Sequence, residues 1–125
     1  MTEKTPDELG LDDPFDREYL RKNYLELGCG DVLQDVFRIF QESSLIKLEG
    51  LRKALDAGAH QELFAIAHGM KGESGSVGGR HVSALASAME QAARAGNIME
   101  VRRLFADLER ELGRLLTAIA RELEE

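Results

Sequence analysis

Residues 31–57 read DVLQDVFRIFQESSLIKLEGLRKALDA. Within them Val32, Leu33, Val36, Phe37, Phe40, Ser44, Leu45, Leu48, Leu51 and Leu55 recur at steps of three and four residues. That is the period of an α-helix, and it gathers these positions on one face over about seven turns. No segment of the chain alternates with a period of two, so the fold class is all-α and this long amphipathic helix is its backbone. Asp31 is the expected N-cap, and Asp56-Ala57-Gly58-Ala59 the expected stop.

Three helices follow from the same pattern. One is expected over about 60–77, broken by Gly78-Gly79. The next, over about 80–95, uses Val82, Leu85, Ala88, Met89 and Ala92 and stops at Gly96-Asn97. The last runs towards the C-terminus on Ile98, Val101, Leu104, Phe105, Leu108, Leu112, Leu115, Leu116, Ile119 and Leu123. Upstream, Asp13-Pro14 predicts a helix start, with Asp as N-cap and Pro at the first helical position. A shorter helix then extends to Leu27, with Phe15, Tyr19, Leu20, Tyr24 and Leu27 as its buried stripe, and Gly28-Cys29-Gly30 ends it. Residues 1–12 are polar and aperiodic, which predicts a flexible tail or linker ahead of one domain over 13–125. Long helices joined by short connections predict an antiparallel up-down four-helix bundle, with the short N-terminal helix packed across one end.

Bulk chemistry narrows the function. Hydrophobic residues make up 43% of the 125, enough for one core, and no proline follows Pro14. A net charge of −7 argues against nucleic acid or an anionic membrane as the main partner. Cys29 is the only cysteine, so the chain forms no internal disulfide and a reducing compartment is expected. No apolar run approaches the roughly 18 residues of a membrane span, and no signal-peptide pattern opens the chain. A cytoplasmic location is the reading.

The chemistry concentrates in residues 67–78, AHGMKGESGSVG. Leu63, Ile66, Ala67, Met70, Ser74 and Val77 take the inward spacing, leaving Phe64, His68, Lys71, Gly72 and Gly75 on the opposite, outward side. Glycine inside a helix costs about 1 kcal/mol relative to alanine, yet Gly69, Gly72 and Gly75 fall close together here. Close approach of another molecule to the backbone around His68 would account for them, with Phe64 as an apolar contact point. An exposed neutral imidazole is a nucleophile, and Lys71 is placed to pair with an anion landing on the ring, such as a phosphoryl group. No general base is fixed beside it by sequence, so a partner would have to run the chemistry. A lone helical histidine is by itself also an ordinary surface residue.

His68-Gly69-Met70-Lys71-Gly72-Glu73-Ser74-Gly75 resembles the signature of histidine-containing phosphotransfer domains: His, any residue, an apolar residue, Lys, Gly, then small residues. The continuation through Gly78-Gly79-Arg80-His81 is similar to modules at the C-terminal end of bacterial hybrid sensor kinases. Phe37, Phe40, Ala67 and the run from Glu90 to Asn97 fit the family's layout, over about residues 14–123. The resemblance implies a four-helix bundle with an added N-terminal helix. It implies that His68 is phosphorylated at Nε2 and exchanges the group with receiver-domain aspartates, the receiver supplying magnesium. Lys71 then stabilises the phosphoryl group, Gly72 leaves it accessible and Glu90 orients the ring. The chain itself would need no cofactor and would not be an autonomous enzyme. Its partners would be receiver domains and a histidine kinase, with no nucleic acid and no direct membrane contact, and the isolated domain would be a monomer. The polar leader suits a piece of a larger kinase, at the cytoplasmic end of a membrane-bound sensor. Two positions depart from the family: Gly69 replaces a residue with a side chain, and Glu73 replaces a small one. The Glu73 charge either disfavours an incoming phosphoryl group or points away.

The remaining polar residues carry less. His60, His68 and His81 match no zinc spacing, and there is no Glu-x-x-His as in di-iron bundles. Ser74 and Ser76 have no Asp or His at triad spacing. Cys29 lacks a redox partner. The competing function is a helical interaction module that binds a receiver or kinase domain without phosphotransfer; there Phe64 and the glycine-lined surface would matter and His68 would not. A kinase of its own is disfavoured, because no phosphate-cradling loop follows a strand.

Overall fold

A computed structural model describes residues 12–124, in which every regular element is helical. A short α1 (Arg17–Leu20) runs straight into a π-helical turn over Arg21–Leu25. The long helices are α2 (Gly30–Ala57), α3 (His60–Ser76), α4 (Arg80–Arg94) and α5 (Ile98–Glu122). Each packs on the helix before it, and α5 returns to α2 to close the ring. The expected tail over residues 1–12 lies, apart from Asp12, outside the described residues.

The helix ends follow from local chemistry. Gly58 takes φ 63° after α2 and Gly96 takes φ 71° after α4, both stops expected from sequence. Asn97 accepts from the Glu100 N–H and caps α5. Two expected caps are corrected. The N-cap of α1 is Asp16, whose side chain accepts from the Tyr19 N–H; Asp13 instead accepts from the Phe15 N–H at 3.0 Å. Helix α2 begins at Gly30, so Asp31 lies inside the first turn, and Cys29 sits at the cap position with no side-chain hydrogen bond capping the helix; its Sγ donates back to the Leu27 carbonyl instead. Asp31 still favours that end through its charge against the helix dipole.

The core is formed by Leu33, Phe37, Phe40, Leu51 and Leu55 of α2, Leu63, Ala67 and Met70 of α3, Val82, Ala86 and Met89 of α4, and Val101, Leu108, Leu112, Leu115 and Ile119 of α5. Val32 and Leu45, expected on the buried face of α2, are exposed, because the face that meets the bundle is narrower than the run of apolar residues. Leu27 is likewise 68% exposed and lies beyond the end of the π turn.

The N-terminal segment crosses one end of the bundle and shows that helix directions alternate. Its Phe15 ring lies 5.6 Å from Phe37 near the start of α2. The Tyr24 hydroxyl donates to the Ser76 carbonyl at the end of α3 (2.7 Å), and Arg80 at the start of α4 donates to the Asp13 carbonyl (2.9 Å). Arg17 reaches Glu122 at the end of α5 at 3.5 Å. The Gly78-Gly79 turn is the seat for this segment. Gly78 has φ 70° and its carbonyl accepts from the Asp16 N–H at 2.7 Å. A Cβ at Gly79 would come within 2.5 Å of Leu115 Cδ2, so this glycine is required by packing, beyond its role as a helix breaker.

Candidate functional site

The facing surfaces of α3 and α4 set the site. His68 and Lys71 are three residues apart on α3, one turn, so their side chains share a face. Ser83 and Glu90 are seven residues apart on α4, two turns, and share the face that meets α3. Ser83 Oγ donates to the Lys71 carbonyl at 3.1 Å and fixes the register of the two helices. Ser74 Oγ turns back to the Met70 carbonyl at 2.6 Å, so this buried hydroxyl is satisfied inside α3 and is no nucleophile.

In that register Glu90 reaches both groups on α3. Its Oε1 lies 3.0 Å from His68 Nδ1, and its Oε2 lies 3.0 Å from Lys71 Nζ. The Glu90 side chain is 8% exposed and that of His68 is 64% exposed. Lys71 first, and then His68, hold the Glu90 carboxyl below the ordinary glutamate range, so it is ionised at neutral pH. An ionised carboxylate accepts and never donates. The neutral imidazole therefore carries its proton on Nδ1, and the Nε2 lone pair is directed away from Glu90. A ring fixed in this way presents one nucleophilic nitrogen at the surface of the bundle.

Phe64, one turn before His68, stacks on the imidazole with ring centroids 6.2 Å apart and planes at 14°. The Arg94 guanidinium lies 5.0 Å from the centroid of Phe64. Among the described residues Arg94 has no ion pair, and it follows Glu90 by four positions on the same face of α4. The sequence reading gave it no role, although the i, i+4 step from Glu90 set against the step from His68 back to Phe64 was there to be used. Phe64, Arg94, His60, Gln61 and Ala93 line a shallow groove of about 400 Å³ beside His68.

The three glycines differ in their surroundings. A Cβ at Gly72 would meet nothing within 4 Å, so the surface one turn beyond His68 is open. A Cβ at Gly69 would lie 3.1 Å from Lys47 Cε, which places Gly69 at the close approach of α3 to α2. At Gly75 it would meet Ser83 Oγ at an ordinary 3.8 Å. The close approach to Lys47 accounts for Gly69 within the bundle, whereas the ordinary contact at Gly75 leaves room for a side chain. Glu73 points to α2 as well: it pairs with Lys47 Nζ at 2.7 Å and accepts from Ser43 Oγ at 2.9 Å.

The other candidates lie apart. His60 is at the first residue of α3, and His81 Nε2 is 3.4 Å from Asp12 Oδ1. No group of three or more His, Cys, Asp or Glu side chains is arranged to hold a metal among the described residues. The larger cleft, about 720 Å³, lies between the N-terminal segment and α5, and none of its lining residues is among those around His68. No helix among the described residues is long and apolar enough to cross a membrane.

Fold and site together define a helical bundle that presents one oriented histidine at its surface. A family model for the Hpt domain matches residues 35–124, from the second turn of α2 to the end of the described chain. The chain belongs to the Hpt domain family, and its broad role is histidine phosphotransfer in two-component phosphorelays. The family's domains are phosphocarriers rather than catalysts, and their partners are receiver and kinase domains. No curated protein and no solved structure matches the chain.

Proposed function

We propose that His68 accepts a phosphoryl group on Nε2 from a receiver-domain aspartate and passes it to the aspartate of a second receiver. The observation that carries this reading is the Glu90 contact to Nδ1 at 3.0 Å, which leaves Nε2 as the free, outward nitrogen of a 64% exposed ring. Lys71 neutralises the phosphoryl charge as it arrives, and Gly72 keeps the approach clear. Phe64 and the groove beside it form part of the docking surface. One carboxylate and one ammonium at His68 do not make a magnesium site, so the ion that neutralises the acyl phosphate belongs with the receiver. The functional unit runs over residues 13–125, with residues 1–12 as its leader. It works in the cytoplasm as a monomeric domain, on its own or at the end of a sensor kinase.

Transfer from labelled phospho-receivers tests this reading. Wild-type protein should gain acid-labile label and His68→Gln should gain none. If His68→Gln still binds the receivers and no receiver in a broad panel labels the wild type, the protein is a binding module and the relay reading is wrong.

A further inference from the structure

We propose that the cleft between the N-terminal segment and α5 is a second binding site, shaped for an extended, carboxylate-rich peptide segment of a partner protein. The proposal goes beyond the phosphorelay reading and does not depend on it. Its basis is the charge, the length and one unexplained glycine of this cleft.

The cleft holds about 720 Å³, and its lining sets Arg17, Arg110, Arg114 and Arg121 against only Asp13 and Glu122. On a chain of net charge −7 that lining has the opposite sign to the whole. The four guanidinium groups are not equally committed. Arg17 bonds Asp13 and reaches Glu122 across the cleft at 3.5 Å. Arg114 is held by Glu111 at 2.8 Å and by Asp12 at 3.4 Å. These two are fixed in the walls. Arg110 has Asp107 at 3.1 Å, in a solvent-exposed pair that exchanges at little cost. Arg121 has no ion pair among the described residues. Arg110 and Arg121 are therefore the groups available to incoming carboxylates.

The two lie 11 residues apart on α5. That is about 16 Å along the helix, which an extended peptide covers in about five residues. Between them Gly113 is exposed in the interior of α5, and a Cβ there would meet nothing within 4 Å. Packing does not ask for this glycine, which costs about 1 kcal/mol relative to alanine in a helix. A side chain at Gly113 would stand in the cleft. Cations spread over such a length suit several carboxylates in a row better than one compact phosphate, and the guanidinium fork matches a carboxylate with two parallel bonds. No aromatic side chain lines the cleft, so a nucleotide base has nothing to stack on. The lining shares no residue with the surroundings of His68, so a segment held here leaves that face open. A partner tethered in this way gains effective concentration at the His68 face.

The full chain is titrated into a fluorescent peptide of about six residues, alternating glutamate and alanine with blocked ends. Anisotropy is read in about 50 mM salt, and a peptide with glutamine for glutamate is the control. The chain as a whole is acidic, so general attraction does not produce binding. The glutamate peptide should bind at least about tenfold tighter than the control, and at least about tenfold tighter than it binds the Arg110→Glu, Arg121→Glu double variant. Gly113→Leu keeps every charge but fills the cleft. It should weaken the peptide about tenfold while raising the unfolding midpoint, because a helix glycine is gone. Amide shifts on binding should centre on residues 110–122. Equal affinity for the two peptides overturns the proposal, as does full affinity in the double variant with a native unfolding midpoint, or shifts centred on residues 64–72. Tighter binding of pyrophosphate than of the peptide would assign the cleft to a phosphate ligand. Self-association of the chain that the peptide reverses would assign it to a second copy. Either result overturns the proposal.

Discussion

Glu73 lies five residues beyond His68, and its charge is spent on α2, through Lys47 at 2.7 Å and Ser43 at 2.9 Å. Glu73→Ala should therefore leave the rate of phosphotransfer within about twofold. Because the pair is partly exposed, it should cost no more than about 1 kcal/mol in urea unfolding. With Lys71 in its proposed role at the phosphoryl group, Lys71→Ala should slow transfer about 10- to 100-fold in a stopped reaction, the range charge-assisted bonds span. Glu90 ties the site to pH. Its carboxyl is held below the usual 4.5, so the stability it adds is present above that value and is lost as pH falls through the folded-state value. The gap in urea midpoint between wild type and Glu90→Gln should thus be full above the usual 4.5 and narrow as pH falls below it. The placement of His68, Lys71 and Gly72 on one face was legible in the sequence, because one helix supplies all three at fixed spacing. The direction of Glu73 was not, because it depends on Lys47, 26 residues earlier on another helix. Arg94 was missed because its partner Phe64 lies on the facing helix, so that only the match of two helical steps, Glu90 to Arg94 and His68 back to Phe64, points to it.

Among the elements, the α3–α4 turn constrains most for its length. Gly78 and Gly79 read in the sequence as helix breakers, but their surroundings show a packing site for α1 and α5. Gly79→Ala forces a methyl group onto buried Leu115 and should destabilise the protein by about 1–3 kcal/mol, measured by thermal or urea unfolding. The opposite sign is expected at Ser44, which is fully buried on α2 with no hydrogen-bond partner for its hydroxyl among the described residues. Ser44→Ala removes an unmet polar group without changing the fold and should raise the unfolding midpoint. The boundaries of α2, α3, α4 and α5 were legible to within a residue or two, because glycine stops and 3.6-residue periodicity coincide. The first helix was not. Asp13 and Asp16 are both good caps three residues apart, and only the Gly78 carbonyl, 62 residues away, selects the backbone path that uses Asp16.

At the scale of the molecule, the N-terminal segment closes one end of the bundle while His68 lies on the flank formed by α3 and α4. Stability and transfer should therefore separate. Phe15 is 1% exposed against Phe37, so Phe15→Ala should lower stability by about 3–5 kcal/mol in a single cooperative transition. Folded Phe15→Ala should still carry phosphate on His68. The central claim is that His68 is a two-way carrier, and a pulse–chase measures it most directly. The protein is labelled from one phospho-receiver, freed of it, and mixed with a second unlabelled receiver. Wild type should gain acid-labile label that moves to the second receiver, and His68→Gln should gain none at either stage. Label that appears on His68→Gln, or that stays on the wild type in the presence of every receiver offered, would contradict that claim.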